Sequence, residues 1–239
     1  MINAKINNKI LAVWKKHFGA RDDVYAPIFY DNFKQGGLLF IGMNPSFTPR
    51  GVRAIVRGTE FEKIESETFY RWNNIASDPK HVDTCVRIGR LVHEEYAFFK
   101  RMHETAKKCK THFQHIDLFV YRQTKQKDFL GLIRDKKKVL NEFGSDQLDI
   151  FLEALKEIQP TVIVVSNAGS SGIVREHFKD RISFDEERGF HWIELEDRKV
   201  PIFFSSMLSG QRALDTGSYE RLRWHVTRAA IAEAPAFSH

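Results

Sequence analysis

Cysteine is scarce in this chain, and Cys85 and Cys109 are the only two among 239 residues. A zinc or iron–sulfur site with four thiolate ligands therefore cannot be built from this sequence. The His-Glu-x-x-His spacing of zinc hydrolases is also missing. We expect both cysteines to be free thiols in a reducing compartment, and we predict neither a metal nor another cofactor.

Long apolar runs are absent as well. No stretch approaches the roughly 20 apolar residues that a membrane-spanning helix needs. The first residues, Met-Ile-Asn-Ala-Lys, lack the basic-then-apolar pattern of a signal peptide. Together these features predict a cytoplasmic protein without a membrane partner.

The composition is that of a globular protein with a basic surface. The hydrophobic fraction is 42%, the net charge is +6 and the sequence pI is about 9.2. A basic chain tolerates a polyanionic partner, and some of its 20 phenylalanines could stack on bases. The length suits one domain over residues 1–230, followed by a disordered tail at 231–239.

Apolar patterning predicts alternating strands and helices. Helical spacing predicts helices at 2–18, 83–108, 145–159, 173–178 and 217–230, and short helices within 52–81. Apolar runs predict strands at 38–41, 113–121, 161–165 and 201–204, with a further strand pair within 182–200. The predicted class is α/β, a three-layer α/β/α sandwich around a central, mostly parallel four-stranded sheet.

The segment 36–51 is the centre of this prediction. Its buried strand at 38–41 is followed by Gly42, where the backbone can turn, and Pro45 and Pro49 stiffen the loop that follows. Ligands of open α/β sheets bind at the carboxyl ends of such strands. An asparagine before proline is also an ordinary turn former, so a structural role for Asn44 remains open at this point.

Asp117 interrupts the second apolar strand. An ionised carboxylate in a strand core is costly unless it is paired or functional. Pairing with Arg122 and a functional role are both compatible with the pattern. Two further loops follow strands: residues 166–172, rich in glycine and serine, give a weak phosphate-binding signal, and residues 205–212 carry serine, glutamine and arginine.

Three motifs, in order, resemble the uracil-DNA glycosylase superfamily. Gly42-Met-Asn-Pro-Ser is similar to the water-activating Gly-Ile-Asn-Pro-Gly motif of its mismatch-specific branch. Ser205-Ser-Met-Leu-Ser-Gly resembles the family's DNA-gripping motif, which carries the minor-groove wedge. The strand Ile116-Asp-Leu-Phe-Val-Tyr-Arg falls where the family reads the base. The resemblance covers most of residues 36–230.

The resemblance implies a monofunctional DNA glycosylase, expected to be a monomer, that flips a nucleotide out of duplex DNA and leaves an abasic site. It implies that Asn44 holds the attacking water and that Phe47 stacks on the base, with Tyr70 or Trp72 as rivals. The predicted catalytic residues are Asn44 and Asp117, and the base-binding residues are Met43, Phe47, Asp117 and Tyr121. The predicted DNA-binding residues are Ser46, Arg50, Arg122, Ser206, Leu208, Ser209, Gln211 and Arg212.

The sequence departs from the family at two positions. Phe204 stands where uracil-specific members have a histidine that stabilises the departing base, and Asp117 stands where they have asparagine. An ionised Asp117 accepts only, which suits the exocyclic amine of a cytosine-type base. Because excision of ordinary cytosine would harm the host, we expect a modified cytosine, for example a hydroxymethylcytosine derivative of phage DNA in an antiviral role.

Three alternatives remain from the sequence. The chain could be a uracil or thymine mismatch glycosylase in which Asp117 is simply paired with Arg122. It could be a nucleic-acid-binding module with the glycosylase fold and no activity. It could also hydrolyse free nucleosides, although such an enzyme has little need for basic loops.

Overall fold

A computed structural model describes residues 1–78, 80–196 and 198–232. The protein has an α/β fold. The helices within these ranges are α1 (Ala4–Phe18), α2 (Pro49–Val56), α3 (Ser66–Phe69), α4 (Trp72–Ser77), α5 (Lys80–Glu95), α6 (Lys100–Cys109), α7 (Gln126–Ile133), α8 (Glu142–Ile158), α9 (Ala168–His177) and α10 (Thr216–Ala232). The strands are β1 (Leu38–Gly42), β2 (Phe113–Asp117), β3 (Val162–Ser166), β4 (Ile182–Asp185), β5 (Phe190–Leu195) and β6 (Arg198–Ser205). Short 3-10 helices lie at Ala97–Phe99 and Lys179–Arg181.

The strands form one mixed sheet in the order β2-β1-β3-β6-β5-β4. β1 pairs with β3 and β3 with β6 in parallel, so that Phe40 lies beside Val164 and Val164 beside Phe203. Every residue of β1 and β3 is buried, as expected for parallel strands covered on both faces. The parallel centre of the predicted sheet is thus present.

The prediction of four strands was wrong, because the sheet has six strands in the described part of the chain. The pair predicted within 182–200 joins the same sheet as β4 and β5, both antiparallel to their neighbours. Gly189, at φ +73°, turns the chain between β4 and β5, and so short a connection can join only antiparallel strands.

The chain divides into two compact units, each built from several segments. The first comprises Met1–Phe33, Asn44–Tyr96 and Asp117–Lys156. The second comprises Lys34–Met43, Ala97–Ile116 and the chain from Glu157 onward, and it contains nearly all of the sheet. The chain leaves the second unit after Met43 and again after Ile116, which are the strand ends where the sequence predicts function.

Helix α1 belongs to the first unit, and it confirms the helix predicted from the apolar spacing of residues 2–18. Asn3 caps it by accepting a hydrogen bond from the backbone nitrogen of Ile6 at 3.0 Å. Its apolar stripe is buried, including Trp14 and Phe18. The rings of these two residues pack against Phe143 at 5.5 and 5.0 Å, so the helix is held by aromatic packing.

The prediction of one continuous helix at 83–108 was wrong. Helix α5 ends at Glu95, a 3-10 turn follows, and α6 begins at Lys100. Helix α10 extends two residues beyond the predicted end at 230, so Ile231 and Ala232 of the predicted tail are helical. The remainder of that tail, 233–239, lies outside the described residues.

Candidate functional site

Asn44 follows β1 by two residues, and backbone carbonyl groups fix its side-chain amide. Its Nδ2 atom donates to the carbonyl oxygens of Gln123 at 2.7 Å, Tyr121 at 3.3 Å and Pro45 at 3.4 Å. Because all three partners can only accept, the nitrogen must face them. The orientation of the amide therefore follows from its surroundings.

The Oδ1 atom of Asn44 is the chemically available end of this side chain. It accepts no hydrogen bond from any residue in the described part of the chain, and the residue is only half-buried. An amide oxygen fixed in direction can accept a hydrogen bond from water and so orient it. It cannot take the proton of that water, because an amide is not a base at neutral pH.

Hydrogen bonds join the Asn44 loop to the segment that follows β2. The backbone nitrogen of Gln123 donates to the carbonyl oxygen of Pro45 at 3.0 Å. The Oγ1 atom of Thr124 donates to the carbonyl oxygen of Phe47 at 3.1 Å. The first unit thus holds the Asn44 loop and the segment after β2 together, and backbone carbonyl groups accept each of these hydrogen bonds.

Arg122 anchors an aromatic cluster beneath these loops. Its guanidinium lies 4.8 Å from the ring centre of Tyr70 and 5.4 Å from that of Phe47. Its Nε atom donates to the carbonyl oxygen of Ala26 at 3.0 Å. The Phe47 ring also packs on Tyr25 and Tyr70, at 4.8 and 5.1 Å, and is 9% exposed. Arg122 therefore positions Phe47. The contacts of its guanidinium are within the protein, and the DNA contact predicted for Arg122 stays a prediction.

Replacing Arg122 by methionine should destabilise the protein by about 2 kcal/mol, because two cation–π contacts are lost and the Ala26 carbonyl loses its donor. Urea unfolding measures the change. Arg57→Met, which alters an exposed arginine, is the matched control and should have little effect. Equal stability of the two variants would contradict the anchoring role.

Asp117 ends β2 and is 7% exposed. Burial raises the pKa of its carboxyl group to about 7, and the positive charge of Arg122 limits the rise. The hydroxyl of Tyr30 is hydrogen-bonded to the backbone of Asp117. Burial, followed by the negative charge of Asp117, holds the pKa of Tyr30 well above its usual range, so this hydroxyl stays neutral.

This environment corrects the expectation that Asp117 only accepts hydrogen bonds. With a pKa near 7 the carboxyl group is substantially protonated at neutral pH. A neutral carboxyl group donates through its O–H and accepts through its carbonyl oxygen. It can therefore meet the ring nitrogen and exocyclic amine of cytosine together, and it can also meet the N–H and keto groups of uracil.

Sequence reasoning missed the contribution of residues 25–30. The sequence predicts only an irregular connection at residues 20–35, because no helical or strand period runs through them. In the structure Ala26 supports Arg122, Tyr25 packs on Phe47 and Tyr30 contacts Asp117. The backbone nitrogen of Ile28 donates to the carbonyl oxygen of Val120 at 3.1 Å, which holds this segment against the chain that follows β2.

The remaining predicted residues of this region have differing surroundings. The ring of Tyr121 lies among Trp14, Phe18, Phe129 and Phe143, which is a core environment rather than that of a base-binding residue. Met43 is 4% exposed and belongs to the second unit.

Two predicted DNA-binding residues are exposed, whereas the two rival stacking residues are buried. Ser46 and Arg50 are exposed, as a DNA contact requires. Trp72 is 1% exposed and its indole donates to the carbonyl oxygen of Gly19 at 2.8 Å, so it belongs to the core. Tyr70, the other rival for stacking, is 2% exposed and packs on Phe47.

The second unit carries the loop 205–212, and the surroundings of two of its residues do not fit the roles predicted for them. Leu208 is 2% exposed, and its carbonyl oxygen accepts from Nη1 of Arg101 at 3.1 Å. A buried leucine cannot act as a wedge in this conformation. Ser209 donates its hydroxyl to the carbonyl oxygen of Phe98 at 2.6 Å, so its single donor is not available to a phosphate.

Leu208→Ala should therefore behave as a core substitution and cost about 2–5 kcal/mol of stability. Thermal unfolding measures this cost, and Gln211→Ala, at an exposed position of the same loop, should change stability by less than about 0.5 kcal/mol. A Leu208→Ala protein as stable as the unmodified one would restore the wedge hypothesis.

The tip of this loop is better placed for a DNA contact. Gly210, at φ +88°, turns the chain, and Gln211 and Arg212 are exposed beyond it. Ser206 is half-buried. Phe204, at the position of the family's histidine, lies under the guanidinium of Arg175 at 3.8 Å.

No group of three or more histidine, cysteine, aspartate or glutamate side chains that could hold a metal occurs within 1–78, 80–196 and 198–232. In the same ranges no helix is both long and apolar enough to cross a membrane. No protein-family model matches this sequence, and neither does any curated protein.

Proposed function

We propose that this protein is a DNA N-glycosylase that extrudes a pyrimidine nucleotide and hydrolyses its glycosidic bond, with a modified cytosine as the preferred base. The observation that carries the proposal is the amide of Asn44, whose nitrogen is fixed by three carbonyl groups and whose oxygen is available to a water. The proposal includes a three-layer α/β/α arrangement, because β1 and β3 are buried at every residue.

The chemistry proposed for Asn44 needs positioning and no strong base. The C1′–N bond breaks first, and its electron pair leaves with the base, so that the sugar becomes oxocarbenium-like. The water on Oδ1 of Asn44 then adds to C1′, and the proton that it loses passes through solvent to the anionic base, which leaves as the neutral base. Since the sugar is strongly electrophilic by then, an oriented water suffices and the amide need not accept that proton.

Base selection is assigned to Asp117. Its neutral carboxyl group would donate to the ring nitrogen of a cytosine-type base and accept from the exocyclic amine. A buried polar reader rejects a base that leaves it without partners, so bases whose edges match neither pattern of the carboxyl group are excluded. Excision of ordinary cytosine would damage the host genome, so the proposed substrate carries a modification that host DNA lacks.

Uracil in a mismatch is the second candidate substrate, and one observation favours it. The pKa of about 7 keeps Asp117 partly neutral, and the neutral form also matches the edge of uracil. In that case the protein would act in base-excision repair.

The test is abasic-site formation on a panel of duplexes containing uracil, thymine mismatches, hydroxymethylcytosine or glucosylated hydroxymethylcytosine. Alkaline cleavage of end-labelled strands detects the product. The control pair is Asn44→Ala and Asn73→Ala, since Asn73 is an exposed asparagine on α4. Cleavage confined to one modified cytosine, lost only in Asn44→Ala, supports the proposal, and cleavage of uracil alone supports the second candidate. Binding without cleavage of any duplex contradicts both and favours a non-catalytic module.

A further inference from the structure

Helix α10 carries an exposed stripe that the proposed base-excision site does not use. Arg221, Trp224 and Arg228 are spaced three and four residues apart, so they lie on one side of the helix. All three are exposed, and Trp224 retains 56% of its surface. The opposite side of the helix packs inward through Tyr219, Val226 and Ala229, so the stripe is not part of the core of the second unit.

The stripe combines an aromatic ring with positive charge. The guanidinium of Arg228 lies 5.3 Å from the ring centre of Trp224. Arg228 forms no ion pair with any described residue. Arg221 donates to the hydroxyl of Ser218 at 3.0 Å. Hydrogen bonds from Ser218 chiefly lower the pKa of the nearby Asp215, and the charge of Arg221 adds a smaller effect. A large exposed tryptophan that contacts one arginine and shares its helix face with a second is unusual for a surface that only faces water.

Helix α6, which contacts α10, carries further positive charge. The Sγ atom of Cys109 lies 3.6 Å from Oγ1 of Thr227, which places the end of α6 next to the residue that precedes Arg228. The exposed lysines at that end of α6 are Lys107, Lys108 and Lys110. The same unit therefore carries further exposed positive charge at the end of α6 that contacts α10 at Thr227.

We propose that the stripe Arg221–Trp224–Arg228 binds a single-stranded segment of nucleic acid, with one base stacked on Trp224 and the backbone phosphates on the two arginines. Aromatic stacking is available only to an unpaired base, while clustered arginines and lysines attract phosphate. The two arginines are about 10 Å apart along the helix axis, which is a reach of a few nucleotides at most. This function is independent of base excision, because it needs neither Asn44 nor Asp117.

The test is fluorescence anisotropy of a labelled 15-nucleotide oligothymidylate at several salt concentrations. Trp224→Ala should weaken binding roughly tenfold, while Trp224→Phe should retain most of it. The double variant Arg221→Gln with Arg228→Gln should bind with a weaker salt dependence. The negative slope of the log binding constant against log salt concentration should become shallower by about 1.4, the value for two phosphate contacts on a single strand. The charge-matched control, Lys179→Gln with Arg181→Gln, alters the 3-10 helix of the same unit and should change affinity by less than about twofold.

Intrinsic fluorescence gives a second readout that general charge effects cannot mimic. The protein has four tryptophans, of which Trp14 and Trp72 are buried. Oligothymidylate should quench the emission of the unmodified protein, and Trp224→Phe should remove that quenching. Three results would each overturn the proposal. The unmodified protein does not bind the oligonucleotide; the arginine variant and its control lose affinity equally; or the substitutions weaken binding only to phosphatidylserine vesicles and not to the oligonucleotide. Base release from duplex DNA is measured separately, so failure here leaves the proposed glycosylase activity to its own test.

Discussion

Asn44→Ala should reduce base release by about 100-fold or more, because the group that orients the attacking water is lost. The same change removes three hydrogen bonds to the carbonyl groups of Pro45, Tyr121 and Gln123 and should lower stability by about 1–2 kcal/mol. Single-turnover kinetics on the preferred duplex measure the first effect, and urea unfolding measures the second.

Asn44→Asp separates the two roles of this side chain. An ionised carboxylate cannot donate, so its oxygens would face three carbonyl oxygens. We expect Asn44→Asp to be less stable than Asn44→Ala at pH 8, despite its closer similarity in shape. An aspartate variant that is as stable and as active as the unmodified protein would contradict the orientation of the amide.

Asp117→Asn should make stability less dependent on pH and should increase stability in alkaline solution. The pKa of the carboxyl group is about 7 in the folded protein, above its ordinary value of 3.8. The folded state therefore binds the proton more tightly than the unfolded state, and the free energy of unfolding falls as pH rises from about 4 through 7. Above pH 7 the buried charge costs up to about 4 kcal/mol, and asparagine removes that cost.

Urea unfolding between pH 4.5 and 8.5 measures this difference. The stability of Asp117→Asn relative to the unmodified protein should rise with pH and level off above pH 8. Asp149→Asn alters an exposed aspartate on α8 and is the matched control. If the two variants differ from the unmodified protein by the same amount at every pH, Asp117 does not titrate as burial requires.

The same residue should control base preference. In the unmodified protein, release of uracil should fall as pH rises above 7, since an ionised Asp117 offers no donor to the keto oxygen of uracil. Asp117→Asn should release uracil at a rate that does not depend on this titration. No gain in uracil release by a folded Asp117→Asn variant would count against Asp117 as the base reader.

The parallel centre of the sheet could be predicted because its signal is local. The apolar runs at 38–41 and 161–165 are bounded by turn residues and correspond to β1 and β3. The helical period of residues 2–18 likewise corresponds to α1. In each case the residues that define the element also determine its burial, on both faces of the strands and on one face of the helix.

The details of the candidate site depend on residues that are distant in the sequence. The orientation of Asn44 is set by carbonyl groups at 121 and 123, and the surroundings of Asp117 are completed by Tyr30. The burial of Leu208 accompanies a hydrogen bond from Arg101, more than a hundred residues earlier. Backbone carbonyl groups leave no mark in a residue pattern, so neither the availability of the Asn44 oxygen nor the burial of Leu208 could be predicted.

The most direct test of the central claim is to identify the product by mass spectrometry. Duplex DNA containing glucosylated hydroxymethylcytosine is incubated with the protein, with Asn44→Ala and with Asn73→Ala, and the small-molecule fraction is analysed. The proposed glycosylase activity should yield a free modified base in equal molar amount to new abasic sites, and only Asn44→Ala should abolish both products. A released nucleoside, or no small-molecule product from any pyrimidine on the panel while the protein remains bound to DNA, would contradict it.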